Sequence, residues 1–192
     1  IGRKSATHNI IGECCVMALH RDHTGVLWIG TDNDGIYLVT PERKQKKHFP
    51  SEGGKYNVPA TIMSIFEDSK NQIWIGSYQK GLAQLNPITG QCKYIELKND
   101  IGNSAECIYH IVDNNQRLWV AAMDRGLFSI DLNTNKISLF ETTDNGLEYK
   151  EDANILHNSS INTLEFSAST NKLYIGTYDG LGCLDLNNNS FT

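Results

Sequence analysis

Three side chains able to bind a metal, His20, Asp22 and His23, fall within four residues of one another. Imidazole and carboxylate are ordinary zinc ligands, but such a site needs its donors on one face. These three straddle the end of a β-rich run and the turn after it, and nothing elsewhere in the chain repeats them. We read them as a chance cluster and expect no metal. A second group, Glu141, Asp144, Glu148, Glu151 and Asp152 against a single Lys150, is acidic enough to suggest calcium. It lacks the Asp-x-Asp-x-Asp-Gly spacing of a calcium loop, so calcium is not expected either. A third series, Asp22, Asp68 and Asp113, closes three successive β-rich runs. One acid per copy is what a turn-capping hydrogen bond would look like, and we read the series as structural rather than as a row of catalytic acids. Gly-x-Ser-x-Gly, His-Glu-x-x-His and glycine-rich phosphate loops are absent from the sequence. No catalytic residue is assigned and no cofactor is implied.

The elements that must position any site are set by a repeat. Leu27-Trp28-Ile29-Gly30-Thr31, Ile73-Trp74-Ile75-Gly76-Ser77, Leu118-Trp119-Val120-Ala121-Ala122 and Leu173-Tyr174-Ile175-Gly176-Thr177 are four copies of one pattern, with aromatic residues 46, 45 and 55 positions apart. Each is followed by a glycine and an apolar residue, Gly35-Ile36, Gly81-Leu82, Gly126-Leu127 and Gly180-Leu181. Upstream lie polar turns such as Ser69-Lys70-Asn71-Gln72, and downstream Asn86-Pro87-Ile88-Thr89-Gly90, Asp131-Leu132-Asn133-Thr134-Asn135 and Asp185-Leu186-Asn187-Asn188-Asn189. Four short antiparallel strands in about 45 residues make one propeller blade. The expected fold class is all-β, a β-propeller with four blades of four antiparallel strands, at about 14–59, 60–104, 105–159 and 160–192, after an incoming segment 1–13. The rings of Trp28, Trp74 and Trp119 should fill the space between blades.

In such a blade the turn between the second and third strands lies on the same face as the connection to the next blade. Those turns, 31–34, 77–80, 122–125 and 177–179, carry Asp32, Asp34, Tyr78, Lys80, Asp124, Arg125, Tyr178 and Asp179. Sugar recognition uses this mixture, since an aromatic face packs on C–H surface while charged and amide groups bond hydroxyls. Tyr78, Lys80, Asp124, Arg125, Tyr178 and Asp179 are therefore the candidate ligand-binding residues. Tyr78 and Tyr178 would be platforms, with Lys80 and Arg125 as donors suited to a uronate or sulfate. The same turns read more simply as exposed hairpins with no ligand, which is the favoured reading of the turns themselves. The longest connection, residues 141–160, accounts for the 55-residue spacing and could contact a partner.

Composition narrows the partners. A formal charge of −5 and a pI near 5.6 leave no broad basic surface, so no nucleic acid is expected. The one dense basic run, Arg43-Lys44-Gln45-Lys46-Lys47, reads as a solvated turn and strand edge. No stretch approaches the roughly 20 apolar residues of a membrane helix, so no membrane contact is expected within the chain. Five cysteines without a C-x-x-C pair argue against zinc; most should be small buried hydrophobes on strands, with one pairing left open.

The recurring Leu/Ile-Trp-Ile-Gly-Thr, with its glycine-apolar pair and Asp/Asn turn, resembles the two-component regulator propeller repeat over about residues 14–192. The third copy departs at Ala121 and the fourth at Tyr174. The resemblance implies a seven-bladed propeller in the periplasmic sensor region of a hybrid two-component system of Bacteroides-type bacteria. It further implies an oligosaccharide signal and a parent chain with a histidine kinase. Four blades span little more than half of such a ring, so we expect self-association or further blades from a longer chain. A protein-interaction scaffold is the alternative, and an enzyme of the propeller-lyase type is the weakest reading.

Overall fold

Polar, left-handed turn residues punctuate the chain and divide it into short strands. Gly25, Asn71, Asn115 and Asn171 take φ of 85°, 59°, 66° and 52° at the first turn of successive copies. Asparagine tolerates this region because its short side chain bonds the local backbone. The structure is a computed structural model and describes residues 11, 14–42, 46–51, 55–98, 102–123, 125–143, 146–149, 161–178 and 180–191.

The first sheet comprises β1 (Val16–Arg21), β2 (Leu27–Thr31), β3 (Ile36–Val39) and β4 (Lys46–Phe49), and the second β5 (Ile62–Glu67), β6 (Ile73–Ser77), β7 (Leu82–Leu85) and β8 (Cys92–Ile95). The third holds β9 (Ile108–Asp113), β10 (Arg117–Ala122), β11 (Gly126–Asp131) and β12 (Ile137–Thr143), extended by β13 (Gly146–Tyr149). The fourth holds β14 (Ile161–Ser167), β15 (Lys172–Thr177), β16 (Gly180–Asp185) and β17 (Ser190–Phe191). Every pairing is antiparallel and between consecutive strands. The first strands β1, β5, β9 and β14 lie side by side, as the inner strands of a propeller do.

The third blade departs from the four-strand expectation. Part of the long connection folds back as β13, pairing Thr142 with Leu147 and Thr143 with Gly146. Its remaining acids Asp144, Glu151 and Asp152, with Lys150, lie outside the described residues.

The core sits between blades. Trp28 packs with Ile62, Ile65 and Ile75 of the second blade, Trp74 with Ile108, Ile111 and Val120 of the third, and Trp119 with Ile161, Leu164 and Ile175 of the fourth. The three indoles are buried, as their role between blades requires. Burying a large aromatic side chain is worth about 3 kcal/mol each, so the junctions carry much of the stability. The pattern's glycine permits this approach in the first two blades: a Cβ on Gly30 would stand 2.5 Å from Ile62 Cγ2, and one on Gly76 2.7 Å from Ile108 Cγ2, each of the next blade.

The acid series is corrected by strand register. Asp22 Oδ1 accepts the N–H groups of Thr24 and Val26, and Asp68 Oδ1 those of Lys70 and Gln72, so both cap their turns as expected. In the third blade the turn is one residue shorter: Leu118 pairs with Asp113, whereas Ile73 pairs with Glu67. The cap there is Asn114, whose Oδ1 accepts from Gln116 and Arg117. Asp113 instead stands where Glu67 does, and both reach back to the preceding blade. Glu67 accepts the His23 N–H at 2.7 Å, and Asp113 the Ser69 N–H at 2.8 Å.

The His20, Asp22 and His23 cluster is dispersed by the fold. Asp22 is committed to its turn and to Trp28, His23 Nδ1 meets Glu67 Oε1 at 2.5 Å, and His20 lies half-buried beside Phe66. The cysteine reading is corrected too. None of the five is in a disulfide, none is fully buried, and Cys14, Cys15 and Cys107 lie outside strands. Of the basic run, residues 43–45 lie outside the described residues. Lys47 donates to the carbonyls of Pro87 and Ile88, binding the outer strand of one blade to a turn of the next.

Candidate functional site

The turn between β6 and β7 is built by Ser77 and Gly81. Ser77 donates both its N–H and its hydroxyl to the Gly81 carbonyl, and its Oγ accepts the Lys80 N–H. Gly81, at φ 72°, donates its own N–H to Glu106 O at 2.7 Å. That bond draws the connection to the third blade against the turn. A Cβ at Gly81 would stand 2.7 Å from Ala105 O, so no other residue fits without movement. Leu97 and Ala105 anchor the connection from beneath, joined by a backbone bond of 2.8 Å.

Between turn and connection lies a cavity of about 460 Å³ lined by Lys80, Tyr94, Glu96, Glu106, Asn57 and neighbouring backbone. Its size suits a small ligand. Tyr94 supplies a half-buried aromatic wall, with Lys80 Nζ 5.9 Å from the ring centroid. The Tyr94 hydroxyl donates to Asn57 O at 2.8 Å. Burial, aided by Cys92, pushes the Tyr94 pKa up to about 12, so it stays a neutral donor at physiological pH. Glu96 and Glu106 are exposed at the rim, and Glu96 pairs with Lys98 at 2.6 Å. One aromatic face, one ammonium and two carboxylates suit a neutral polyhydroxy ligand better than an anion.

Of the residues proposed from sequence, Lys80 lines this cavity, while Tyr78, Arg125 and Tyr178 are not among its lining residues. Tyr78 stands in the same turn, half-exposed, its N–H bonded to Thr61 O. Arg125 is half-buried in the β10–β11 turn, and Tyr178 is 69% exposed in the β15–β16 turn. Asp124 and Asp179 lie outside the described residues. Tyr94, Glu96, Glu106 and Asn57 were not foreseen. They sit on the last strand and on interblade connections, which vary between copies, so the repeat gave no signal for them.

Antiparallel sheets placed side by side through their first strands, with an aromatic ring between each pair, define β-propeller blades. The model of the two component regulator propeller family matches two short segments of the chain, residues 10–33 and 58–79. Its structure resembles the extracellular domain of BT4673 of B. thetaiotaomicron, described as a hybrid two component system. TM-score is 0.72 at 18% identity over 93% of this chain and 24% of that one. It also resembles the extracellular domain of BT3049 from the same organism, described likewise, with TM-score 0.69 at 22% identity over 95% of this chain and 25% of that one. A third likeness is to PorZ, a surface component of the type-IX secretion system of Porphyromonas gingivalis, with TM-score 0.69 at 18% identity over 100% of this chain and 28% of that one. At these identities the likeness is one of fold. The chain spans about a quarter of the length of these structures. No curated protein matches the sequence.

Proposed function

We propose that these blades belong to an extracytoplasmic signal-input propeller of a hybrid two-component histidine kinase that responds to an oligosaccharide, and that they bind rather than catalyse. The family match at residues 10–33 and 58–79 carries this reading. The cavity beside Lys80 and Tyr94 supports it with a suitable lining, and its two glutamates favour a neutral sugar over the uronate or sulfate first considered. Tyr78, Arg125 and Tyr178 would contribute only to a longer ligand reaching across neighbouring turns. Calorimetry with neutral oligosaccharides tests the proposal. Heat that Lys80→Ala and Tyr94→Ala each reduce at least tenfold is the expected result, and equal heat from both variants and the parent chain would remove this cavity from consideration.

A second reading, docking of further blades or of another copy, rests on register. Leu19 is 63% exposed, whereas Ile65, Ile111 and Leu164 at the same position of later blades are buried. Leu181 is 74% exposed, whereas Ile36, Leu82 and Leu127 at its position are fully buried. Both end blades thus present, among the described residues, the apolar faces that the inner blades cover. A seven-bladed ring or a self-associated pair would bury them. Light scattering on the chain should show association that Leu19→Lys and Leu181→Lys weaken, and a strictly monomeric chain would count against self-association.

A further inference from the structure

The junction between the third and fourth blades lacks two carboxylates that the other junctions have. In the first and second blades the indole N–H is taken by the capping acid, Trp28 by Asp22 Oδ2 at 2.7 Å and Trp74 by Asp68 Oδ2 at 2.8 Å. In the third blade the cap is Asn114, whose oxygen is committed to two backbone N–H groups, so what remains of its side chain is a donor. Trp119 Nε1 is buried with no acceptor among the described residues. The second absence is at the neighbouring position. Glu67 and Asp113 bond the N–H that follows the cap in the preceding blade, but Phe166 holds their register in the fourth. No described residue supplies a carboxylate to Asn115.

At this junction, on the face opposite the Lys80 cavity, lies a second cavity of about 340 Å³. Trp119 and Phe140 form its aromatic side, 5.0 Å apart between centroids. Arg117, Asn114, Gln116 and Asn171 are among its polar lining. Arg117 reaches Ser129 Oγ at 3.3 Å and, by its charge, helps hold the Asp131 carboxyl below its usual range, after the Thr134 and Asn133 N–H groups. It is the cation in this lining, and Asp131 is not part of it.

A buried N–H without a partner costs about 1–3 kcal/mol, and native proteins meet that cost with a partner or a function. We propose that this cavity binds a carboxylate-bearing ligand, whose carboxylate accepts from the Trp119 indole and pairs with the Arg117 guanidinium. The ligand's acid would do for the Trp119 indole what Asp22 and Asp68 do for Trp28 and Trp74. Charge-assisted bonds of this kind are about twice as strong as neutral ones, which favours an acid over a neutral hydroxyl. The site is independent of the Lys80 cavity and of the reading attached to it.

Indole ¹H–¹⁵N spectra of the 192-residue chain test this, because its three tryptophans give three signals and Trp28 and Trp74 serve as internal references. D-glucuronate should move the Trp119 signal alone and saturably, acetate should move it more weakly, and D-glucose should leave it in place. Arg117→Gln should weaken the glucuronate response at least tenfold while all three signals persist, which separates lost binding from lost folding. Asn114→Asp should shift the Trp119 signal towards those of Trp28 and Trp74 and abolish the titration, because the chain then carries its own acid. An unmoved Trp119 signal would overturn the proposal. So would an equal response to glucose, or a glucuronate response unchanged in both variants.

Discussion

The Asp68 carboxylate holds its own turn with one oxygen and accepts the Trp74 indole N–H with the other, at 2.8 Å and almost wholly out of solvent. One side chain therefore closes the first hairpin of the second blade and orients the ring that packs against the third. Asp22 does the same for Trp28 in a half-buried setting.

Replacing Asp68 by Ala strands a buried indole donor and two turn N–H groups. The expected loss is about 2–4 kcal/mol, given roughly 1–3 kcal/mol per unsatisfied buried group and partial access of water to the turn. Asp22→Ala should cost less, since that carboxylate is more exposed. Asp68→Asn should not rescue, because an amide that keeps its oxygen on the turn presents a donor to the indole. Urea denaturation of the three variants checks the order, and equal costs for Asp22→Ala and Asp68→Ala would show that burial does not set it.

Stability should fall as pH drops below about 6.5. His110 Nδ1 accepts the Leu164 N–H at 2.9 Å, a bond between the inner strands of the third and fourth blades that needs this nitrogen unprotonated. Burial holds the His110 pKa below the ordinary imidazole value, against the opposing charge of Glu165. His20 is lowered as well, by burial against Glu67 and Asp22. A histidine whose folded pKa is depressed takes up protons more readily when unfolded. Its stabilisation is thus complete above the unfolded value and is lost as pH falls from there through the folded pKa. Urea midpoints between pH 7.5 and 5 should slope down, and His110→Gln should flatten the slope in part, leaving the His20 share. An unchanged slope in His110→Gln would assign the effect elsewhere.

Gly81→Ala should damage the Lys80 cavity and the fold together. The left-handed φ costs a non-glycine residue about 1–2 kcal/mol, and the added methyl meets Ala105 O as well. The Gly81 N–H bond to Glu106 O would lengthen and the connection would move off the turn. Thermal denaturation should show a lower Tm, whereas Gly102→Ala, at a glycine whose added Cβ meets nothing, should lower it less.

The repeat was legible because it is local. An aromatic residue, a β-branched residue and a small one, glycine in three copies and Ala121 in the third, recur together on the second strand of each blade, where the tryptophans are buried against the neighbouring blade. Turn chemistry was legible for the same reason, as Asn71, Asn115 and Asn171 take the backbone region their side chains tolerate. Spacing misled where one residue was lost. Asp113 stands six positions before Trp119, as Asp68 does before Trp74, and only the hairpin register shows that Asn114 took over the cap and Asp113 the bond to the preceding blade.

The amino-acid sequence by itself determined the blade: strand order, turns, the buried rings and the propeller class all follow from short-range patterning within about 45 residues. What stands between blades was decided only by the tertiary structure. The Lys80–Tyr94 cavity, the Glu67 and Asp113 bonds, the unpartnered Trp119 indole and the exposed Leu19 and Leu181 each depend on residues from different copies, or on a neighbour's cover. A periodic pattern says what each blade shares, whereas recognition resides in what differs across the junction of two.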